Sequence, residues 1–201
     1  MLYLFSCDIE LNAAFPDGVP DGLNAAITGV GLVDAALGTA AAIARYRPES
    51  IVFLGTCGAH HGSGLAVGDL VIAAGACLGS GDVARGWMRL PKIMGSRLQT
   101  DEVLSARFTD VATADGMAPR SAWVSCTLGV TENDQLASAL RSHDGSEAEN
   151  LEVFSVLRAA GTIPATALLG VTNIVGAGGG ADWAANYRSM MLMLGALVAG
   201  M

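Results

Sequence analysis

The sequence predicts an α/β fold whose central sheet is mixed but mostly parallel and flanked by helices. Three observations carry that expectation. Short apolar runs alternate with helix-like stretches along most of the chain. Residues are 52% hydrophobic and 15% charged, with 26 glycines, a balance suited to a sheet buried on both faces under Ala-rich helices. Within Asn24 to Ala76, two glycine turns, Gly29-Val30-Gly31 and Gly55-Thr56-Cys57-Gly58, follow neighbouring apolar runs. At the carboxyl edge of an open α/β sheet, such turns leave backbone amides pointing outward, where a small ligand can approach closely.

Taken in order, Leu2 to Cys7 is a short strand, and the carboxylates of Asp8 and Glu10 follow at its end. They either face the same edge as the glycine turns or serve as first-turn helix acids favoured by the macrodipole. Phe15 to Gly22, FPDGVPDG, is a loop with two Pro/Asp/Gly turn signals. A strand from Asn24 ends at the first glycine turn, which Gly29 and Gly31 shape. An Ala-rich helix from Val33 to Tyr46 follows, and Pro48 stops it. Strands are expected at Ser50 to Leu54 and Asp69 to Ala76.

From Leu78 to Pro119 the pattern weakens, and Gly86 to Leu98 reads as a mobile loop or part of an interface. Ser121 to Cys126 is a strand, and Glu132 to Ser142 a helix with Thr131 as its N-cap. His143 to Glu149 is polar and flexible in composition. Asn150 to Ala160 is a helix stopped by Gly161 and Pro164. Ala165 to Val171 is the last strand, ending in Thr172-Asn173. A glycine loop, Val175 to Gly180, then leads into a final helix from Asp182 to Val198.

The 201 residues suit one domain, 1–201, with length to bury a core and no linker or internal repeat to divide it. A net charge of −8 without a basic run argues against nucleic acid as a partner. No apolar run reaches the roughly 18 residues of a membrane span, and MLYLFSCDIE lacks the basic flank of a signal peptide. Cys7, Cys57, Cys77 and Cys126 are spaced unlike any zinc motif. They read as buried free thiols of a reducing, cytoplasmic compartment. No metal or cofactor is expected. His60 and His61 read as exposed loop residues, and Met190, Met191 and Met193 as core or interface.

One order of motifs runs through nearly the whole chain: GVGLVDAALGTAAA, a strand ending in Gly55-Thr56-Cys57-Gly58, VGDLVIA, Glu149-Asn150-Leu151-Glu152, and Val171-Thr172-Asn173. In that order they resemble the nucleoside phosphorylase and nucleosidase superfamily. The resemblance implies a three-layer nucleoside phosphorylase-like architecture and cleavage of a purine nucleoside's N-glycosidic bond through an oxocarbenium-like transition state. It also implies a small-molecule purine nucleoside as partner and a homo-oligomer, dimer or hexamer.

Residue by residue, the resemblance places Glu152 on the ribose hydroxyls, where its charge also favours the developing cation. Asn150 replaces a family glutamate and Leu151 a methionine that packs under the sugar. Asn173 stands where the methylthioadenosine hydrolases have an aspartic acid that protonates purine N7; its amide can only hydrogen-bond N7, which resembles enzymes of 6-oxopurines and futalosine hydrolases. Glu10, with Asp8 as the alternative, matches the glutamate that orients and deprotonates water. The glycine-aspartate-proline segment and arginine of the phosphorylases are absent near the first strand.

Thr56, Cys57 and Gly58 match a turn that contacts base and sugar. Trp183 and Tyr187 either wall the base pocket or pack in the core or an interface. Hydrolysis is thus the expected reaction, with phosphorolysis or nucleoside binding without turnover as alternatives. A dinucleotide-binding reading fails because Asp34 stands at the third glycine of G-x-G-x-x-G.

Overall fold

Alternating apolar residues in one long strand set the layers of this molecule. In β3 (Ile51–Ala59), Ile51 and Phe53 point to one face and Val52 and Leu54 to the other, and all four are fully buried. A strand covered on both faces needs helices on both sides, and the chain supplies them. The computed structural model describes residues 1–200. Its remaining strands are β1 (Leu2–Phe5), β2 (Ala25–Ile27), β4 (Leu70–Leu78), β5 (Arg97–Gln99), β6 (Arg120–Cys126), β7 (Ala148–Asn150) and β8 (Ala165–Ile174). The helices are α1 (Asp8–Ala14), α2 (Gly31–Tyr46), α3 (Gly81–Ala84), α4 (Glu102–Ala114), α5 (Asp134–Asp144), α6 (Val153–Ala160) and α7 (Gly179–Ala199).

Strand pairing is parallel for β1 with β2 and β3, β3 with β8, β4 with β6, and β6 with β7. It is antiparallel for β3 with β7, β4 with β5, and β4 with β8. The expected mixed, mostly parallel sheet is therefore present, but it is not open. Strands β3, β8, β4, β6 and β7 close into a ring, with β2–β1 extending from β3 and β5 from β4. Twist accumulating along the three long strands brings β8 against both β3 and β4. One core, with Leu4, Phe53, Val124, Val153 and Leu169, lies beneath α2 and α6. The other, with Phe5, Leu54, Phe108, Leu168 and Leu194, lies beneath α1, α4 and α7.

Several expected boundaries are corrected. Gly55 to Gly58 is not a turn but the interior of β3, because β8 pairs with it throughout and β7 joins at Gly58 and Ala59. Gly29 and Gly31 do shape a turn, with φ of 95° and 83°. The N-cap of α5 is Asn133, whose side chain accepts from the Leu136 N–H, not Thr131. The polar stretch 143–149 holds the start of buried β7. Helix α4, hidden in the weak stretch, is capped by Asp101, whose side chain accepts from the Leu104 N–H. Gly86 to Leu98 carries a 3₁₀ turn at Lys92–Met94 and the start of β5. His60 is 1% exposed rather than a surface residue, whereas His61 is exposed.

Candidate active site

The carboxyl ends of β3, β7 and β8, the segment after β1, and the starts of α1, α2, α6 and α7 meet around a cavity of about 460 Å³. The nine residues expected there, Glu10, Thr56, Cys57, Gly58, Asn150, Leu151, Glu152, Asn173 and Trp183, all line it. Asp8 does not: helical geometry turns it outward and exposed, whereas Glu10, two residues on, faces in at 5% exposure. Tyr187 is outside the lining and stacks on Trp183 with ring centroids 4.6 Å apart.

Glu10 is held from three directions. The Ser6 hydroxyl donates to Oε2 at 2.5 Å, and the Thr56 N–H and hydroxyl donate to Oε1 at 3.0 and 2.9 Å. The Trp183 indole N–H in turn donates to Thr56 Oγ1 at 3.1 Å, so α7, β3 and α1 are tied by one chain of bonds. Burial pushes the Glu10 carboxyl above its ordinary range, against the lowering effect of those donors.

Glu152 precedes α6, and its Oε1 accepts the Gly31 N–H at the start of α2 at 2.9 Å. Burial pushes its carboxyl up to about 7, opposed by the Gly31 bond and reinforced by the charge of Glu10. One carboxylate that titrates near neutrality therefore sits beside another.

Asn150 lines the cavity but spends its amide on the backbone. Its Oδ1 accepts from the Glu152 and Val153 N–H groups at 2.7 and 2.9 Å, and its Nδ2 donates to the Thr56 carbonyl at 3.0 Å. It thus braces the segment that carries Glu152. Cys57 is a neutral thiol, its pKa raised by burial, and is unsuited to act as a nucleophile.

Asn173 owes its place to an irregularity. Cys57 pairs with Val171 but Gly58 pairs with Asn173, so Thr172 is an extra residue in β8, and the bulge re-aims Asn173. Gly58 makes room, since a Cβ there would lie 2.8 Å from Asn173 Nδ2. The Thr172 hydroxyl donates to Asn173 Oδ1 at 2.9 Å.

Sequence reasoning missed Glu149 and Thr131 as site residues. Glu149 is 6% exposed and lines the cavity; the Thr131 N–H and hydroxyl donate to its two oxygens at 3.0 and 2.6 Å. Its neighbours in sequence were legible, but its role depends on pairing with β3, which no local pattern encodes. Among the described residues, the lining holds three glutamates and no Lys, Arg or His. No group of His, Cys, Asp and Glu among them could hold a metal ion, and no helix is long and apolar enough to cross a membrane.

A family model described as the phosphorylase superfamily matches residues 23–199. The chain belongs to the phosphorylase superfamily. Among solved structures, this member is similar to the Helicobacter pylori 5′-methylthioadenosine/S-adenosylhomocysteine nucleosidase, with a TM-score of 0.87, 16% identity, and coverage of 99% of this chain and 95% of that one. It is also similar to native futalosine hydrolase of Helicobacter pylori, with a TM-score of 0.86, 16% identity and coverage of 98% and 94%. The Neisseria meningitidis 5′-methylthioadenosine/S-adenosylhomocysteine nucleosidase, solved in complex with methylthio-immucillin-A, gives a TM-score of 0.83 at 17% identity, with 100% and 99% covered. These likenesses establish a shared fold. No curated protein matches this superfamily member.

Proposed function

We propose that this protein hydrolyses the N-glycosidic bond of a purine nucleoside that carries a 6-oxopurine leaving group. The observation that supports this reading is the polarity of the cavity: three buried carboxylates, two amides and a few hydroxyls in a largely apolar space, with no cationic side chain in the lining. Such a site suits a sugar that becomes positive as its bond to the base breaks, and it offers a phosphate dianion no cationic side chain to pair with.

In this reading Glu10 is the general base. Water oxygen attacks C1′ while the C1′–N9 bond breaks, the water proton passes to Glu10, and the bonding electrons leave with the base. Its raised pKa suits a group that must take a proton near neutral pH. Glu152 has Oε1 tethered to Gly31, leaving Oε2 to receive ribose hydroxyls and to stabilise the developing cation. Asn173 supports N7 of the departing base with its NH₂. Leu151, Cys57 and Trp183 supply the apolar walls against sugar and base.

The test is incubation with inosine, futalosine, adenosine and methylthioadenosine, with and without phosphate, followed by chromatography of released base. Base is expected from the 6-oxopurine nucleosides without phosphate. Release that requires phosphate would make the enzyme a phosphorylase, and no release from any of the four would leave a nucleoside-binding protein in place of an enzyme.

A further inference from the structure

A hydroxyl carries one hydrogen and two lone pairs, so its neighbours decide where that hydrogen points. Thr56 Oγ1 lies 2.9 Å from Glu10 Oε1 and 3.1 Å from Trp183 Nε1. An indole N–H donates and never accepts, so of these two neighbours only Glu10 can receive the Thr56 hydrogen. The Thr56 N–H also donates to Oε1, at 3.0 Å, and a backbone N–H cannot turn. Two held donors therefore cover Oε1, and neither is free to accept a proton placed there.

Oε2 has a different partner. The Ser6 hydroxyl donates to it at 2.5 Å, and Ser6 Oγ has a second acceptor in Cys7 Sγ at 3.5 Å. Ser6 can turn its hydrogen to that sulfur and accept from Oε2, so a protonated Glu10 keeps all of its bonds only with the proton on Oε2. Ser6 and Cys7 both line the cavity, from which a water proton arrives.

We infer that Trp183 is a positioning residue for the general base: it locks the Thr56 hydroxyl as a donor to Oε1 and so leaves Oε2 as the oxygen that takes the proton. The indole is itself held, stacked on Tyr187 with the ring planes 12° apart. Its N–H also polarises the Thr56 hydroxyl into a stronger donor, which favours the Glu10 anion. The inference rests on Glu10 as the base of the hydrolysis above.

The other titratable side chains lining the cavity are Cys7 just before α1, Cys57 on β3, Glu149 on β7 and Glu152 at the start of α6. From α7, Tyr187 lies against Trp183, Arg188 bonds the Tyr187 hydroxyl, and Asp182 is exposed. Glu152 and Glu10 feel each other's charge, so the titrations below are repeated with Glu152→Gln.

The test follows the protonation of Glu10 without substrate. Carbon-13 NMR of its carboxyl, assigned through Glu10→Gln, is recorded against pH for the wild type, Trp183→Phe, Thr56→Val and the double variant. Phenylalanine keeps an aromatic ring beside Tyr187 and removes the N–H. Trp183→Phe should bind the Glu10 proton about threefold to tenfold more tightly, and the acid limb of the kcat profile should move up in pH to match. In the Thr56→Val background the same change should alter proton affinity by less than about twofold, because no hydroxyl is left to orient. A merely structural Trp183 would lower the melting temperature and leave the titration where it was.

An unmoved Glu10 titration in Trp183→Phe, or a shift of equal size with and without the Thr56 hydroxyl, overturns the inference. If Trp183→Phe does not fold, the wild-type indole N–H resonance of Trp183 decides, told from the others by Trp87→Phe and Trp123→Phe. It should shift along the Glu10 titration and hold still in Glu10→Gln; a resonance that holds still in both overturns the inference. A titration that moves as expected in a protein that releases no base upholds the positioning and removes the hydrolysis. Base release with an unmoved titration does the reverse.

Discussion

Replacing Glu152 by glutamine is expected to stabilise the protein at alkaline pH while it damages the reaction. The glutamine keeps the shape and the carbonyl oxygen that accepts the Gly31 N–H, but removes the buried charge. In the folded protein the Glu152 carboxyl is pushed from an ordinary 4.5 up to about 7. Because the folded state holds its proton more tightly than the unfolded chain, wild-type stability falls as pH rises from about 4.5 through about 7. At roughly 1.4 kcal/mol per pH unit, the full cost is about 3 kcal/mol. Most of it, about 2–3 kcal/mol, accrues between pH 5 and pH 8.

Urea denaturation of both proteins at the two pH values measures the difference directly. The glutamine variant should gain about 2–3 kcal/mol over the wild type on going from pH 5 to pH 8. Turnover, if Glu152 acts on the sugar as an anion, should rise with pH through about 7 in the wild type and be lost in the variant. A stability gap that is the same at both pH values would refute the reasoning, since it would mean that Glu152 is not a buried charge carried at a cost.

Four other outcomes are expected. Glu10→Gln should cut turnover by about 10²–10⁴-fold without lowering the melting temperature, as a base removed from an intact hydrogen-bonded frame; retained kcat would exclude Glu10 as the base. Asn173→Ala should reduce turnover far more than it disturbs folding, and equal activity would remove Asn173 from the mechanism. Gly58→Ala would push a Cβ to 2.8 Å from both Asn173 Nδ2 and Val175 Cγ2, so turnover should fall at least about tenfold together with about 1–3 kcal/mol of stability, read by denaturation. Asn150→Ala leaves the Glu152 and Val153 N–H groups and the Thr56 carbonyl unpaired, and should cost about 2–3 kcal/mol; a loss below about 0.5 kcal/mol would show that other groups hold the segment.

Much of the fold was written in local pattern. The alternation of apolar strands with Ala-rich helices, the positive φ at Gly29 and Gly31, and the stop at Pro48 each follow from neighbours within a few residues. The motif order also pointed to Glu10, Thr56, Glu152 and Asn173 before any geometry was known, and these four line one cavity. Other features were misread for definite reasons. Gly55 to Gly58 has the composition of a turn, but pairing with β8 along its whole length, joined by β7 at Gly58, holds it extended. Thr131 has the chemistry of an N-cap, but its hydroxyl and N–H go to Glu149 while Asn133 caps the helix.

Helix and strand periodicity, the acidic charge and the ligand-facing residue types were determined by the sequence alone, because backbone sterics and apolar spacing act over one or two turns of chain. Tertiary structure decided which of those residues meet. The extra residue at Thr172 turns Asn173 into the cavity, and the pairing of Gly58 with both Glu149 and Asn173 puts a carboxylate opposite an amide. Both depend on strand register between segments that lie 91 and 115 residues apart in the chain (149 − 58 and 173 − 58). Register of that kind is set by burying whole faces together, and no short stretch of sequence contains the information.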